Sequence, residues 1–296
     1  ILEQFYQKTQ GEITRSFLSR MITRLESEQS VKEYLDIMDH RKTEQLIDTL
    51  DKVEQNRKEC YIREFSIEHF HDSKVFETLI PKICKIFREE NEELTGFENE
   101  EILAEYQIYK TPGYVYMKGN VQIYSAGKQA ADISAFPEGI AVAVGSEEDV
   151  PDICPDQTID KVFTIENLTS FYRFKQEHSL VIYLGGYHNR SRRNLLMQIY
   201  QKLPDAQYYH FGDLDAGGFY ILEHFKRKTG IPFQMFQMDI ETLKKYEDYA
   251  KPLTENDKKR LMQLEKMELP DEERKLITYM LQKGIKLEQE CISESQ

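Results

Sequence analysis

Apolar stretches alternate with helix-compatible stretches in the second half of the chain, and this alternation constrains the fold more than any other feature. Strand-forming residues occupy 162–167, 179–186 and 208–211, and each stretch is followed by helical spacing of apolar residues. Another strand is predicted at 232–238. Strands that alternate with helices pair in parallel through right-handed crossovers. The sequence therefore predicts an α/β fold with a parallel sheet.

Acidic residues follow two of these strands. Glu166 and Asn167 end the first, and Asp213 and Asp215 follow the third after Gly212. Two carboxylates at this spacing are expected on one face of the pleated strand. Their negative charges repel each other there unless a cation, a proton or solvent reduces the repulsion. Oxygen ligands at the carboxyl edge of a parallel sheet suit Mg²⁺ or Mn²⁺. An isolated D-x-D is more often a solvated loop or a helix cap, and this alternative stays open.

Three short motifs at the strand ends resemble a known family. They are Ile165-Glu166-Asn167, Gly185-Gly186-Tyr187 and Gly212-Asp213-Leu214-Asp215. A strand ending in Glu, one ending in a glycine-rich turn and one ending in D-x-D form the Toprim pattern of topoisomerases, primases and several nucleases. The motifs more narrowly resemble the JetD component of Wadjet-type plasmid defence, whose carboxyl-terminal half is similar to the A subunit of topoisomerase VI.

The resemblance implies a Mg²⁺-dependent (or Mn²⁺-dependent) endodeoxyribonuclease that hydrolyses phosphodiester bonds of double-stranded plasmid DNA. Glu166, Asp213 and Asp215 would bind the metal and be catalytic. It also implies a homodimer that works with the subunits of an SMC-like motor complex. Residues expected to support the metal ligands or to contact DNA are Asn167, His188, His210, Lys74 and Arg190.

Three domains are expected. Residues 1–58 form a helical arm, 59–150 a winged-helix (CAP-like) domain, and 158–296 a Toprim (Rossmann-like) domain with carboxyl-terminal helices. The winged-helix prediction is based on four predicted elements. They are a short strand beginning at Glu64, a helix over 75–90, a helix over 102–109 and a hairpin over 114–124 that turns at Gly119-Asn120. Residues 146–158, with two prolines, are the expected linker.

The segment around Lys74 resembles F-G-D-S-K of JetD proteins, with His71 where their glycine stands. In that interpretation Lys74 contacts the DNA backbone. The alternative is an exposed lysine beside a helix cap formed by Asp72 or Ser73.

The net charge of −13 argues against a general nucleic-acid binder, because phosphate binding needs clustered cations. Local basic clusters begin at Arg190, Lys226 and Lys258, and each is either a DNA contact or the solvated face of a helix. Asp239 is expected either to join the acidic residues or to cap a helix. The segment 287–290, Leu-Glu-Gln-Glu, resembles a motif that closes many JetD sequences, and either helps place a second metal or lies on a solvated helix face.

Two other functions are considered. One is a DNA transesterase like topoisomerase VI, for which a nucleophilic tyrosine would come from Tyr106, Tyr109, Tyr114, Tyr116 or Tyr124. The other is a non-catalytic DNA-binding or scaffolding component. The sequence contains no long apolar span, which argues against a membrane protein, and its four cysteines are scattered, which favours a cytoplasmic location. Its first residue is Ile1, so a longer parent protein is expected.

Overall fold

The computed structural model describes residues 2–36, 38–94, 97–110, 113–125, 127–144, 151–185 and 190–292. The side chains of residues 93, 113, 144, 190 and 191 lie outside the description. The chain divides into two compact units, Ile1–Thr111 and Pro112–Gln296. The three predicted domain ranges stay a prediction.

The first unit begins with helices, as predicted. They are α1 (Leu2–Lys8), α2 (Glu12–Glu26) and α3 (His40–Gln55). Asp39 starts α3 by accepting a 3.1 Å hydrogen bond from the backbone N–H of Lys42. The nearly buried carboxylate of Glu54 accepts hydrogen bonds from the backbone N–H groups of Ile13 and Thr14 at 2.8 and 2.9 Å, which joins α3 to the first turn of α2.

The rest of the first unit packs three helices beside a two-stranded parallel ladder. The elements are β1 (Cys60–Tyr61), α4 (Ile62–Phe70), α5 (Val75–Glu90), α6 (Asn99–Glu105) and β2 (Ile108–Tyr109), with β1 paired to β2. The strand predicted from Glu64 is wrong, because this segment is helix α4. The Glu64 side chain accepts the backbone N–H of Tyr61 at 2.8 Å, and Ile62 and Phe65 are buried at helical spacing.

The second unit is built on a six-stranded sheet. Its strands are β3 (Gly113–Lys118), β6 (Ile140–Val144), β8 (Lys161–Ile165), β9 (Ser179–Tyr183), β10 (Gln207–Phe211) and β11 (Gln234–Met235), in the order β11-β10-β8-β9-β3-β6. The first four strands of this order are mutually parallel, as predicted, and β3 is antiparallel to both neighbours. The predicted strand over 232–238 shortens to two residues.

Helices cover both faces of this sheet. The elements are α7 (Leu168–Arg173), α8 (Arg190–Lys202), α9 (Ala216–Thr229), α10 (Ile240–Lys245), α11 (Glu255–Leu264) and α12 (Asp271–Lys283). Successive strand residues belong to different cores, as expected for a strand buried on both faces. Val162 packs in one core with Leu196 of α8, whereas Phe163 packs in the other with Phe171 of α7.

The hairpin predicted over 114–124 is wrong. Residues 119–120 do connect two successive strands, but β3 pairs with β6 and β9, whereas β4 (Val121–Ser125) lies between β5 (Lys128–Asp132) and β7 (Asp152–Pro155) in a separate antiparallel sheet. The winged helix thus lacks its expected wing. Strand β7 also falls within the predicted linker, of which residues 146–150 lie outside the described residues.

A short antiparallel ladder completes the second unit. Strand β12 (Lys251–Pro252) pairs with β13 (Ile285–Lys286), after which the chain reaches a short 3₁₀ turn, Gln289–Cys291. In the described part of the chain, no helix has both the length and the apolar character needed to span a membrane.

Candidate active site

The carboxyl ends of the neighbouring strands β8 and β10 bring the first predicted site residues together. Ile165 and Phe211 are partners in the parallel register, so Glu166 and Gly212 leave the sheet side by side. The backbone N–H of Glu166 donates to the carbonyl oxygen of Phe211 at 3.1 Å. The backbone N–H of Asp213 donates to Oε2 of Glu166 at 3.3 Å. The Glu166 carboxylate therefore lies against the turn that carries Asp213.

Gly212 leaves room for this contact. A Cβ atom at this position would lie 2.7 Å from Oε2 of Glu166 and 2.8 Å from Nε2 of His210. Both separations are shorter than van der Waals contact. The glycine is therefore required here for the close approach of the Glu166 carboxylate and not for an unusual backbone angle.

The two aspartates lie in the connection between β10 and α9. Strand β10 ends at Phe211, so the expectation that both side chains leave one face of a pleated strand is wrong. Asp215 begins α9, with its Oδ1 accepting the backbone N–H of Gly218 at 2.9 Å. Between the aspartates, Leu214 forms an isolated antiparallel bridge with Leu287. The helix-cap alternative thus holds for Asp215. The cap hydrogen bond uses Oδ1 of its carboxylate and not Oδ2.

Gln289 ties the two acidic strand ends to the end of the chain. Its side chain is fully buried, with Oε1 accepting the backbone N–H of Asn167 at 2.8 Å and Nε2 donating to the carbonyl oxygen of Phe211 at 2.9 Å. Its backbone N–H donates to Oδ1 of Asp213 at 2.7 Å. Three hydrogen bonds from one residue thus fix the positions from which Glu166 and Asp213 project.

Asn167 has two structural roles. Its Oδ1 begins α7 by accepting the backbone N–H groups of Thr169 and Ser170 at 2.8 and 3.1 Å. Its Nδ2 donates to Oε1 of Glu290 at 2.5 Å. The acidic segment that contains Glu288 and Glu290 is therefore held beside the strand end that carries Glu166.

The carboxylates affect one another electrostatically. Partial burial raises the pKa of Asp213 to about 6, and the charges of Asp215, Glu290 and Glu288 contribute to the increase, whereas the hydrogen bond from Gln289 opposes it. Negative charge thus accumulates around Asp213. This is the environment in which a bound cation would relieve the repulsion.

His210 is a fully buried histidine on β10. Its Nδ1 lies 3.0 Å from Oγ1 of Thr164, while its buried Nε2 has no hydrogen-bond partner among the described residues. Burial lowers the pKa of His210 to about 3, and the positive charge of Lys226 contributes, so the ring is neutral at physiological pH. A neutral buried ring behind the site can support packing but cannot act as an exposed proton donor.

Lys226, the first residue of a predicted basic cluster, does not lie on a fully solvated helix face. Its Nζ forms ion pairs with Glu223 and with the buried carboxylate of Glu273. Lys226 is thus paired with carboxylates within the fold, and the DNA contact predicted for the cluster that begins at this residue stays a prediction.

The structure describes two further predicted residues, Lys74 and Asp239. Lys74 lies in the first unit, where it is exposed and its backbone N–H donates to Oδ1 of Asp72 at 2.7 Å. Asp239 caps α10 by accepting the backbone N–H of Thr242 at 2.7 Å, which confirms the helix-cap alternative. His188 and the side chain of Arg190 lie outside the described residues.

Comparison with known proteins identifies the family. A family model described as "Wadjet protein JetD, C-terminal" matches residues 148–296. The chain belongs to the JetD family. Wadjet protein JetD of Bacillus cereus (strain Q1) is 28% identical over 263 residues, which cover 87% of this chain and 63% of that protein. The chain thus spans less than two thirds of the length of that JetD relative.

The part matched by the JetD family model contains all the acidic residues at the ends of β8 and β10. It runs from the segment before β7 to the end of the chain, and so includes Glu166, Asp213 and Gln289. Within the described ranges, no three Asp, Glu, His or Cys side chains are grouped closely enough to hold a metal ion as they stand. The donor chemistry nevertheless suits a hard divalent cation, because every candidate ligand is a carboxylate oxygen.

Proposed function

We propose that this JetD family member is a divalent-metal-dependent DNA endonuclease of a Wadjet-type plasmid defence system. The observation that carries the proposal is the hydrogen-bonded junction at the ends of β8 and β10, where the Glu166 carboxylate contacts the backbone of Asp213. Four parallel strands with acidic residues at the ends of two neighbouring strands support a Toprim-type arrangement. Family membership supports the link to plasmid defence.

Glu166, Asp213 and Asp215 are the residues proposed to hold Mg²⁺ or Mn²⁺. When bound, such a cation polarises a scissile phosphate and stabilises the charge that develops in the transition state. Asp213 is held for this role by the backbone N–H of Gln289, and Glu166 by the backbone N–H of Asp213. Asn167 positions Glu290 beside the same edge. The proposed nucleophile is water.

The proposed partners follow from the family and not from contacts in this chain. The substrate is double-stranded plasmid DNA, and cleavage of both strands would be served by a homodimer with two sites. An SMC-like motor complex of the Wadjet system would select the DNA and deliver it. Size-exclusion chromatography with light scattering tests the homodimer, with a single monomeric species as the contradicting result.

A plasmid nicking and linearisation assay tests the proposed activity. We expect supercoiled plasmid to be cut with Mg²⁺ or Mn²⁺ and to stay intact with EDTA. Glu166→Gln and Asp213→Asn should each reduce the rate about 100-fold or more, since each removes an ionised ligand. Asp239→Asn is the matched control, because this carboxylate caps α10 after the adjacent strand. Equal rates for all variants would contradict the proposal.

A non-catalytic scaffolding role is the second candidate. It is favoured by one observation, namely that the carboxylates do not form a closed set of three metal ligands among the described residues. In that case the protein would bind DNA but would not cut it with any divalent metal, alone or with Wadjet partners. Cleavage that depends on Asp213 would exclude the scaffolding role.

A further inference from the structure

A large cavity adjoins the candidate active site within the second unit. Its volume is about 700 Å³. Ligand pockets for small molecules typically measure about 300–1,000 Å³, so a single nucleotide has a suitable size whereas a DNA duplex does not. The walls come from α7 and the residues after it, the end of β10, the segment after β11, and the end of the chain.

Helix α7 connects this cavity to the acidic residues. The helix begins at Asn167, whose side chain contacts Glu290, and its far end contributes Tyr172 and Arg173 to the cavity wall. Glu290 lines the cavity as well. Glu290 and Phe211, which line the cavity, thus connect it to the strand ends that carry Glu166 and Asp213.

One wall of the cavity combines an aromatic ring with free cations. Tyr172 is 41% exposed, which leaves its ring available for stacking. Arg173 and Lys175 are also exposed, and within the described ranges neither side chain forms an ion pair or a hydrogen bond. These two cations can contact an anionic group of a ligand, while Glu138 and Glu290 are the acidic residues that also line the cavity.

The cavity lining also contains a residue with a strained backbone angle and an unpaired buried polar atom. Gln237 has φ of +53°, in the left-handed region that few non-glycine residues adopt. Its buried Oε1 has no hydrogen-bond partner among the described residues. Backbone strain and unsatisfied buried polar atoms both concentrate at functional sites. Phe236, which precedes it, adds an aromatic ring to the cavity lining.

We propose that this cavity binds one nucleotide of an unpaired DNA strand next to the scissile phosphate. Arg173 and Lys175 would contact its phosphate, while Tyr172 and Phe236 would contact its base. Stacking on aromatic rings together with cations along the backbone is the general chemistry of single-strand binding. The inference rests on the proposed nuclease function and deepens it, because it assigns a local unpaired substrate at the site of cleavage.

Binding of single-stranded DNA in EDTA tests the inference without any need for cleavage. The probe is a fluorescein-labelled oligothymidylate, followed by fluorescence anisotropy, with a blunt duplex of equal length as the comparison ligand. Tyr172→Ala should weaken binding of the single strand about fivefold or more. The double variant Arg173→Gln/Lys175→Gln should weaken it similarly and flatten its salt dependence by about 0.7 per lost phosphate contact.

The matched control is Lys266→Gln/Lys275→Gln, which removes two exposed lysines that do not line the cavity. We expect it to leave single-strand binding within about twofold of the parent chain, since a screened charge outside the cavity contributes little. All substituted residues are exposed, so thermal melting should show that every variant folds.

Two outcomes would overturn the inference. One is that the parent chain does not bind the single strand, or that the cavity variants bind it as tightly as the parent chain does. The other is an equal loss for the duplex and the single strand, which would indicate only a basic surface. Failure of the nuclease proposal is separately visible, because plasmid cutting would then not depend on Asp213 while binding in EDTA would still respond to the cavity variants.

Discussion

The backbone N–H of Gln289 donates a 2.7 Å hydrogen bond to Oδ1 of Asp213, which joins two residues 76 positions apart in the chain. The side chain of Gln289 also holds the backbone of Asn167 and Phe211. The last described segment of the chain is thus part of the framework of the candidate site. A residue far from the D-x-D motif fixes the motif's first carboxylate.

Removal of the Gln289 side chain should destabilise the protein. Gln289→Ala leaves the partly buried N–H of Asn167 without its partner, at a cost of about 1–3 kcal/mol, and removes one of two hydrogen bonds to the carbonyl of Phe211, at a cost of about 0.5–1.5 kcal/mol. We expect the free energy of unfolding to fall by about 1.5–4.5 kcal/mol in urea denaturation. The control Gln234→Ala removes an exposed glutamine on β11 and should change the free energy of unfolding by less than about 0.5 kcal/mol. Equal effects would show that the side-chain hydrogen bonds of Gln289 do not stabilise this edge.

Gly212→Ala should impair cleavage more than folding. The new methyl group would meet Oε2 of Glu166, the end of a side chain that can rotate away, together with Nε2 of His210. Displacement of one carboxylate by about 1 Å can reduce the rate about 100-fold, while mild overpacking costs about 1–3 kcal/mol. The rate of plasmid nicking and the melting temperature are the two measurements.

Gly218→Ala is the matched comparison, because its methyl group would meet the backbone carbonyl oxygen of Asp213 at 2.2 Å. A backbone atom cannot rotate away, so this variant should lose more stability than Gly212→Ala. The reverse order of melting temperatures would contradict the proposed geometry.

The stability of the metal-free protein should depend on Asp213 in a defined pH window. The folded pKa of about 6 exceeds the ordinary value of 3.8, so the folded protein retains this proton where the unfolded chain has lost it. This contribution is fully present below pH 3.8 and is lost as the pH rises through 6. In EDTA, Asp213→Asn should therefore gain about 1–3 kcal/mol of stability relative to the parent chain between pH 4 and pH 7.

Chemical denaturation at several pH values measures this difference. Asp239→Asn, which alters a helix cap instead, is the control and should show no such gain. A stability difference for Asp213→Asn that stays constant, or that falls with rising pH, would contradict the predicted accumulation of negative charge.

The parallel core could be predicted because its signals are local. Each strand from β8 to β10 is an apolar stretch, and each is followed by a helix with a recognisable start, such as Asn167 before α7. The register of a parallel pair then places Glu166 beside Gly212 without further information. The helix-cap alternative for Asp239 was also accessible from its position before a helix.

The predictions that were wrong concern segments whose structure depends on partners far away in the sequence. Whether β3 and β4 form a hairpin depends on the competing partners β6, β9, β5 and β7, which local turn propensity does not reveal. The segment from Glu64 to Phe70 has strand-like composition, but burial of Phe65 at helical spacing makes it a helix. Gln289 was visible only as part of the motif 287–290, because a single glutamine gives no sign of its hydrogen-bond partners.

Direct titration of Mn²⁺ by calorimetry tests most directly whether the edge formed by β8 and β10 is a metal site. We expect saturable binding to the parent chain and to Asp239→Asn, and loss of that binding in both Glu166→Gln and Asp213→Asn. Absence of binding to the parent chain, or equal binding to all four proteins, would contradict the proposal that these carboxylates hold a divalent cation.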